Sequence, residues 1–188
     1  MEMRQLRAAA TDFTTREDGE EKRIEGYFAV FDSVYDIAPG MSESIAMGAF
    51  DGADAEDIRA LTNHDTRLVL GRTRAGTLTL RQDTHGLWGS VIINPNDIDA
   101  MNTWSRVQRG DVSQCSIGFD IIDEEAEHRD DGSVHWTIRK VKLWEVTVCT
   151  FPAYEETNVQ ARSADRDALQ ARSLETWKSK MLEVLKNA

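Results

Sequence analysis

Three side chains in this sequence have types that could together activate a hydroxyl: Ser116, His64 and Glu145. A serine is a poor nucleophile near neutral pH unless a base takes its proton. That base works best when a third group fixes its tautomer and stabilises the imidazolium. Histidine suits the base role because its free side chain titrates close to neutrality. Ser116 lies in the run Val112-Ser-Gln-Cys-Ser-Ile-Gly-Phe-Asp120. Strand alternation there puts Gln114, Ser116, Gly118 and Asp120 on one face and Cys115, Ile117, Phe119 and Ile121 on the other. Ser113 falls on the apolar face, so Ser116 is the better placed hydroxyl, and Gly118 beside it leaves room for a substrate backbone. His64 ends the run Ile58-Arg-Ala-Leu-Thr-Asn-His64, whereas His85 falls in a tight turn, His128 in an acidic stretch and His135 at an exposed strand position. Glu145 sits mid-strand, sharing a face with Leu143, Thr147 and Cys149, where a carboxylate is costly to bury without a partner. Arg139 or Lys142 would serve as that partner; a histidine would make Glu145 the orienting member of a triad.

The elements that must position these groups read mainly as strands. Residues 1–22 are polar and charged without periodicity and are expected to form a flexible arm. Residues 23–31, rich in aromatic and β-branched side chains, give the first strand, and a short one follows over 34–37 before the Pro39-Gly40 turn. Residues 43–50 suggest a strand end leading into a helical turn. Strands are expected over 58–64, 68–70, 76–80 and 87–93, with a turn at 83–86 between the last two. One helix interrupts them. Asn94-Pro95 offers an N-cap and a first-turn proline, Ile98, Met101, Trp104 and Val107 recur on one face, and Gly110 supplies the stop. Beyond the Ser116 strand, the acidic run 123–132 is expected to be a mobile loop, followed by strands over 134–138 and 141–150. Short strands with regular turns point to an all-β or barrel-like body. Over 163–188 the spacing of Leu169, Leu174, Trp177, Met181, Leu182 and Leu185 predicts an amphipathic terminal helix or tail, packed on the body, pairing with a second copy, or docking a partner.

With 188 residues the chain suits one well-buried domain. Its 22 basic and 33 acidic residues give a net charge of −11, which argues against general affinity for nucleic acid or an anionic membrane. Cys115 and Cys149 lie in apolar runs and read as buried hydrophobes in a reducing cytoplasm. No run approaches the ~20 apolar residues of a membrane span. No Gly-x-Ser-x-Gly elbow, phosphate loop, His-Glu-x-x-His or paired-Cys metal pattern occurs, so no cofactor or metal is expected.

Several segments in order resemble the prohead proteases of tailed bacteriophages, capsid-maturation serine peptidases related in fold to the herpesvirus assemblin. They are Gly26-Tyr-Phe-Ala-Val-Phe31, Glu43-Ser-Ile-Ala-Met-Gly-Ala-Phe50, Arg59-Ala-Leu-Thr-Asn-His-Asp65, Leu70-Gly-Arg-Thr73 with Gly76-Thr-Leu, Asp83-Thr-His-Gly-Leu87, Gly110-Asp-Val-Ser-Gln-Cys-Ser-Ile-Gly-Phe119 and Leu143-Trp-Glu-Val-Thr-Val-Cys-Thr-Phe-Pro-Ala153. The resemblance implies an assemblin-like β-barrel with flanking helices, mainly β, with the protease domain over 23–162. It implies His64 as general base, Ser116 as nucleophile and Glu145 as the third member; assemblin-like enzymes use a second histidine in that role, which leaves His135 as the alternative. Thr147 stands where the family usually has serine. A backbone N–H near Gly118, or Arg162, would supply the oxyanion donor. The implied activity is endopeptidase cleavage of the scaffolding segment of the major capsid protein, and of the chain itself, inside the immature prohead in the host bacterial cytoplasm. The major capsid protein is the expected partner, with self-association as a further expectation. The competing expectation is a catalytically silent scaffolding module that binds coat protein.

Overall fold

The computed structural model describes residues 5–10 (as backbone), 13–19, 21–53 and 56–151. Eleven strands and one α-helix follow in the order β1 (Gln5–Ala10), β2 (Thr14–Asp18), β3 (Glu21–Val30), β4 (Tyr35–Ala38), β5 (Met41–Ile45), β6 (Arg59–Thr62), β7 (Asp65–Arg72), β8 (Leu78–Gln82), β9 (Gly86–Ile93), α1 (Ile98–Arg109), β10 (Gln114–His128) and β11 (Val134–Cys149). Two of these, β1 and β2, fall within the stretch read from sequence as an arm. The terminal helix expected over 163–188 lies outside the described residues.

The described strands form two sheets and do not close into the expected barrel. One sheet runs β1-β10-β11-β5-β4, with β6 also on β11 and β7 on β6; the other runs β2-β3-β9-β8. The reason is how β11 shares its free edge. Its first half pairs in parallel with β5, from Val134 opposite Met41 to Ile138 opposite Ile45, and its second half pairs in parallel with β6, from Glu145 opposite Arg59 to Val148 opposite Thr62. The sheet therefore branches instead of curling back, and no pairing joins β2 or β8 to it.

The main core lies between the sheets. Ile24 and Phe28 of β3 and Val91 and Ile93 of β9 cluster with Cys115, Ile117 and Phe119 of β10 and Val146 and Val148 of β11. The expected alternation in β10 is thus observed on its apolar side. Cys115 behaves as a small hydrophobe whose thiol donates to the Tyr27 and Phe28 carbonyls at 3.3 and 3.4 Å. Gly86 begins β9 where a Cβ would stand 2.0 Å from the Ala29 carbonyl oxygen, so only glycine lets β9 pair this closely with β3. A smaller cluster of Ile37, Met41, Val134 and Trp136 fills the far end of the branched sheet.

Four local expectations are corrected. The acidic run is not a loop: β10 continues through it to His128, pairing with β11 as far as Val134, so the connection is short. Alternating partners across an antiparallel ladder hold this charged edge extended, and the two strands expected over 134–150 are one strand. The helix starts later than Asn94. Asp97 is its N-cap, accepting from the backbone N–H of Asp99 at 3.0 Å and Ala100 at 3.2 Å, while Asn94 closes its own turn by accepting from Asn96. Because the helix begins at Ile98, that residue is exposed and the buried face is Ala100, Thr103, Trp104 and Val107. Finally, His135 is buried, not exposed, because β5 covers that edge of β11.

Candidate active site

The candidate site is assembled on β10, β11 and the β6–β7 hairpin. Ser116 of β10 stands opposite Thr147 of β11, and Thr147 stands beside Leu61 of β6. Neighbouring strands lie ~4.8 Å apart. One row across the sheet therefore runs from the serine, through Thr147, to the strand that leads into His64. Gly118 stands opposite Glu145, so no side chain crowds the carboxylate from that strand.

A bulge decides which way Glu145 points. The register slips between Gly118 opposite Glu145 and Phe119 opposite Leu143, leaving Trp144 without an opposed residue. Strict alternation would put Leu143 on the same face as Glu145. With Trp144 extruded, Leu143 joins the core beside Val146 while Glu145 turns to the opposite face with Thr147. The displaced indole is held by its N–H donating to Asp120 Oδ2 at 2.8 Å and by Lys142 over its ring at 4.0 Å.

His64 occupies the tip of the β6–β7 hairpin. Thr62 and Asp65 are opposed, and the two residues between them both have left-handed backbones, Asn63 at φ 51° and His64 at φ 58°. Glycine is the usual second residue of such a turn; a side chain there costs about 1–2 kcal/mol. Histidine tolerates this conformation better than most side chains, and non-glycine residues held there concentrate at functional sites. The turn is pinned on three sides. Asn63 donates its N–H to the Val148 carbonyl at 3.0 Å and accepts from the Thr150 N–H through Oδ1 at 3.0 Å. Thr62 shares a buried hydroxyl contact of 3.1 Å with Thr103 of α1. At the base of the hairpin, Arg72 makes a two-pronged pair with Asp57 at 2.6 and 2.7 Å, which holds that carboxyl down at about 2.

These constraints bring two of the expected residues into contact. His64 Nδ1 lies 2.8 Å from Glu145 Oε1. Glu145 is buried, and its other oxygen, Oε2, accepts from the Thr147 hydroxyl at 2.8 Å. The rival partners are occupied elsewhere: Arg139 pairs with Glu125, and Lys142 covers Trp144. Asp65, adjacent to His64, is engaged by Arg67, whose guanidinium and backbone N–H hold its carboxyl at about 2. A carboxylate on Nδ1 fixes that nitrogen as the N–H and leaves Nε2 with a lone pair. Nε2 is buried and makes no hydrogen bond among the described residues. Ser116, on the same face, has 0% exposure.

His135, the alternative third member, is not brought to this site. It sits far along β11, with Nδ1 2.9 Å from Ser42 Oγ and Nε2 3.0 Å from Ser44 Oγ. Ser113 precedes β10 and is exposed. Arg162 lies outside the described residues. Among the described residues no group of three or more His, Cys, Asp or Glu side chains is arranged to hold a metal ion, and no helix is long and apolar enough to cross a membrane. Cys149 shares the face of Glu145 and Thr147, and burial pushes its thiol up to about 11, so it is not a competing nucleophile at neutral pH. Thr147 was not among the expected site residues; the available signal was a hydroxyl two positions from Glu145 on the same strand face, where the family usually has serine.

The family model of caudovirus prohead serine proteases matches residues 10–172, a span that includes Ser116, His64 and Glu145. The chain belongs to that family. A prohead protease of Enterobacteria phage HK97 is 27% identical over 164 residues, covering 85% of this chain and 68% of that protein. No solved structure matches the chain. The chain is mainly β, built on two sheets with one helix among its described residues, and the family name implies a serine mechanism.

Proposed function

We propose that this protein is a serine endopeptidase that cleaves the scaffolding segment of the major capsid protein, and its own chain, during maturation of the phage prohead. Ser116 is the nucleophile, His64 the general base and Glu145 the group that orients and charges the base. The observation that carries this reading is the 2.8 Å contact of His64 Nδ1 with buried Glu145, which leaves Nε2 as a buried acceptor with no hydrogen bond among the described residues.

The chemistry follows from the protonation pattern. Ser116 Oγ attacks the scissile carbonyl as His64 Nε2 takes its proton, and the resulting imidazolium is stabilised by the Glu145 carboxylate. The same nitrogen then donates to the departing amine, so the peptide C–N bond breaks and an acyl ester on Ser116 remains. Water, deprotonated by Nε2, hydrolyses that ester and restores the serine.

Co-expression of the chain with its coat protein tests the proposal. Wild type is expected to remove the scaffolding segment and Ser116→Ala to leave it intact. Equal removal by both would overturn the protease assignment to Ser116 and favour a silent scaffolding module.

A further inference from the structure

We propose that Thr147 is a positioning residue, whose hydroxyl holds the Glu145 carboxylate in the one orientation that presents His64 toward Ser116. The inference rests on the roles given above to Ser116, His64 and Glu145. Its geometric basis is separate. Thr147 is completely buried and donates its hydroxyl to Glu145 Oε2 at 2.8 Å, while Oε1 of the same carboxylate contacts His64 at 2.8 Å.

A glutamate side chain has rotatable bonds that one contact does not arrest. Bonding both oxygens fixes the carboxylate plane, and a β-branched threonine supplies an unusually stiff donor because its χ1 is restricted. The residue types around it show why packing alone does not account for the hydroxyl. The flanking positions Val146 and Val148 turn toward the core, and valine would fill position 147 with nearly the same volume. A buried hydroxyl is costly unless hydrogen-bonded, so its presence points to the bond it makes. Position completes the case. Thr147 stands directly opposite Ser116 on β10 and beside Leu61 on β6, at the centre of the row that joins the nucleophile strand to the base hairpin. Its hydroxyl bonds the Glu145 carboxylate, and we assign its action to that bond.

The test is single-turnover cleavage of coat protein by the full chain as wild type, Thr147→Val, Thr147→Ser and Glu145→Gln, with Ser116→Ala as the zero. Thr147→Val is expected to slow cleavage about ten- to a hundredfold, the span of a hydrogen bond to a charged group, with KM changed less than about twofold. Thr147→Ser restores the hydroxyl and is expected within about threefold of wild type. Combined with Glu145→Gln, Thr147→Val is expected to add no further loss, because the bond it removes acts only through that carboxylate. If the valine variant does not accumulate as folded protein, Thr147→Cys replaces it with the same expected loss. A Thr147→Val or Thr147→Cys rate within twofold of wild type, a Thr147→Ser rate as low as that of the valine variant, or a full additional loss in the Glu145→Gln background overturns the inference. Ser116→Ala separates the two levels. If it is inactive while Thr147→Val is normal, only the role of Thr147 fails; if it cleaves like wild type, the triad and the inference both fall.

Discussion

Replacing Glu145 by glutamine tests how much of the proposed catalysis depends on the His64–Glu145 contact. The perturbation removes one negative charge and changes almost no volume. In the wild-type geometry both carboxylate oxygens accept, one from His64 Nδ1 and one from the Thr147 hydroxyl, each at 2.8 Å. An amide offers only one acceptor, so either Thr147 or His64 must face an NH2 group. If His64 does, its tautomer inverts, Nε2 carries the proton, and the ring cannot take the proton of Ser116 during attack. The lost charge adds to this. An imidazolium and a carboxylate with centres ~4 Å apart interact by about 4 kcal/mol at an effective dielectric of about 20, which corresponds to about a thousandfold in rate. The site is a fair place for that dielectric, because Glu145 is 3% exposed. Glu145→Gln is therefore expected to cleave coat protein about 10³-fold more slowly, while its circular dichroism spectrum stays that of wild type. The assay is the rate of scaffold-segment removal resolved by gel or mass spectrometry. A rate within tenfold of wild type would refute the role assigned to Glu145.

Other consequences follow from the same geometry. Asn63→Gly keeps the left-handed turn but loses the side-chain bond to Thr150, costing about 1 kcal/mol; Asn63→Ala adds about 1 kcal/mol of backbone strain, so melting temperatures should fall in the order Asn, Gly, Ala, and equal values for glycine and alanine would contradict the strained turn. Burial of Cys149, with its thiol pushed up to about 11, predicts that iodoacetamide at pH 8 modifies neither cysteine in the native chain and both in denaturant; rapid native alkylation of Cys149 would refute its placement. Asp57 is held at about 2 by Arg72, against an ordinary 3.8. A depressed folded-state value contributes stability that is full above about pH 4 and fades as the pH falls toward about 2. Arg72→Met should flatten the acid dependence of stability across that window, as read by denaturant unfolding; an unchanged slope would show that the pair at the hairpin base is not what Asp57 senses.

Much of the site was legible in the sequence because strand alternation is a strong local signal. The apolar face of Cys115, Ile117 and Phe119 fixed the direction of Ser116, and the cost of a mid-strand carboxylate marked Glu145 as needing a partner. Alternation failed at Trp144, where a bulge lets Leu143 face the core although it shares parity with Glu145. Bulges depend on the partner strand and leave little trace in one sequence. The long β10 was hidden for a similar reason: residues 123–128 are acidic and exposed, and only their pairing with β11 makes them a strand. His135 read as exposed because nothing local announces that β5 pairs in parallel on that edge of β11. The barrel, expected both from the short strands with regular turns and from the resemblance, gave way to a branched pair of sheets because β11 gives one edge to two different strands. The helix start moved from Asn94 to Asp97 because two acceptable caps lie three residues apart, and only the hydrogen bonds distinguish them.

The central claim is that Ser116 is the nucleophile of a protease that cuts its own chain. It is tested most directly by the intact masses of wild-type and Ser116→Ala chains purified in parallel from the same expression system. Wild type is expected to lose one or more terminal segments, whereas Ser116→Ala retains the full mass less the one oxygen removed by the substitution. Identical trimming of both chains would contradict it.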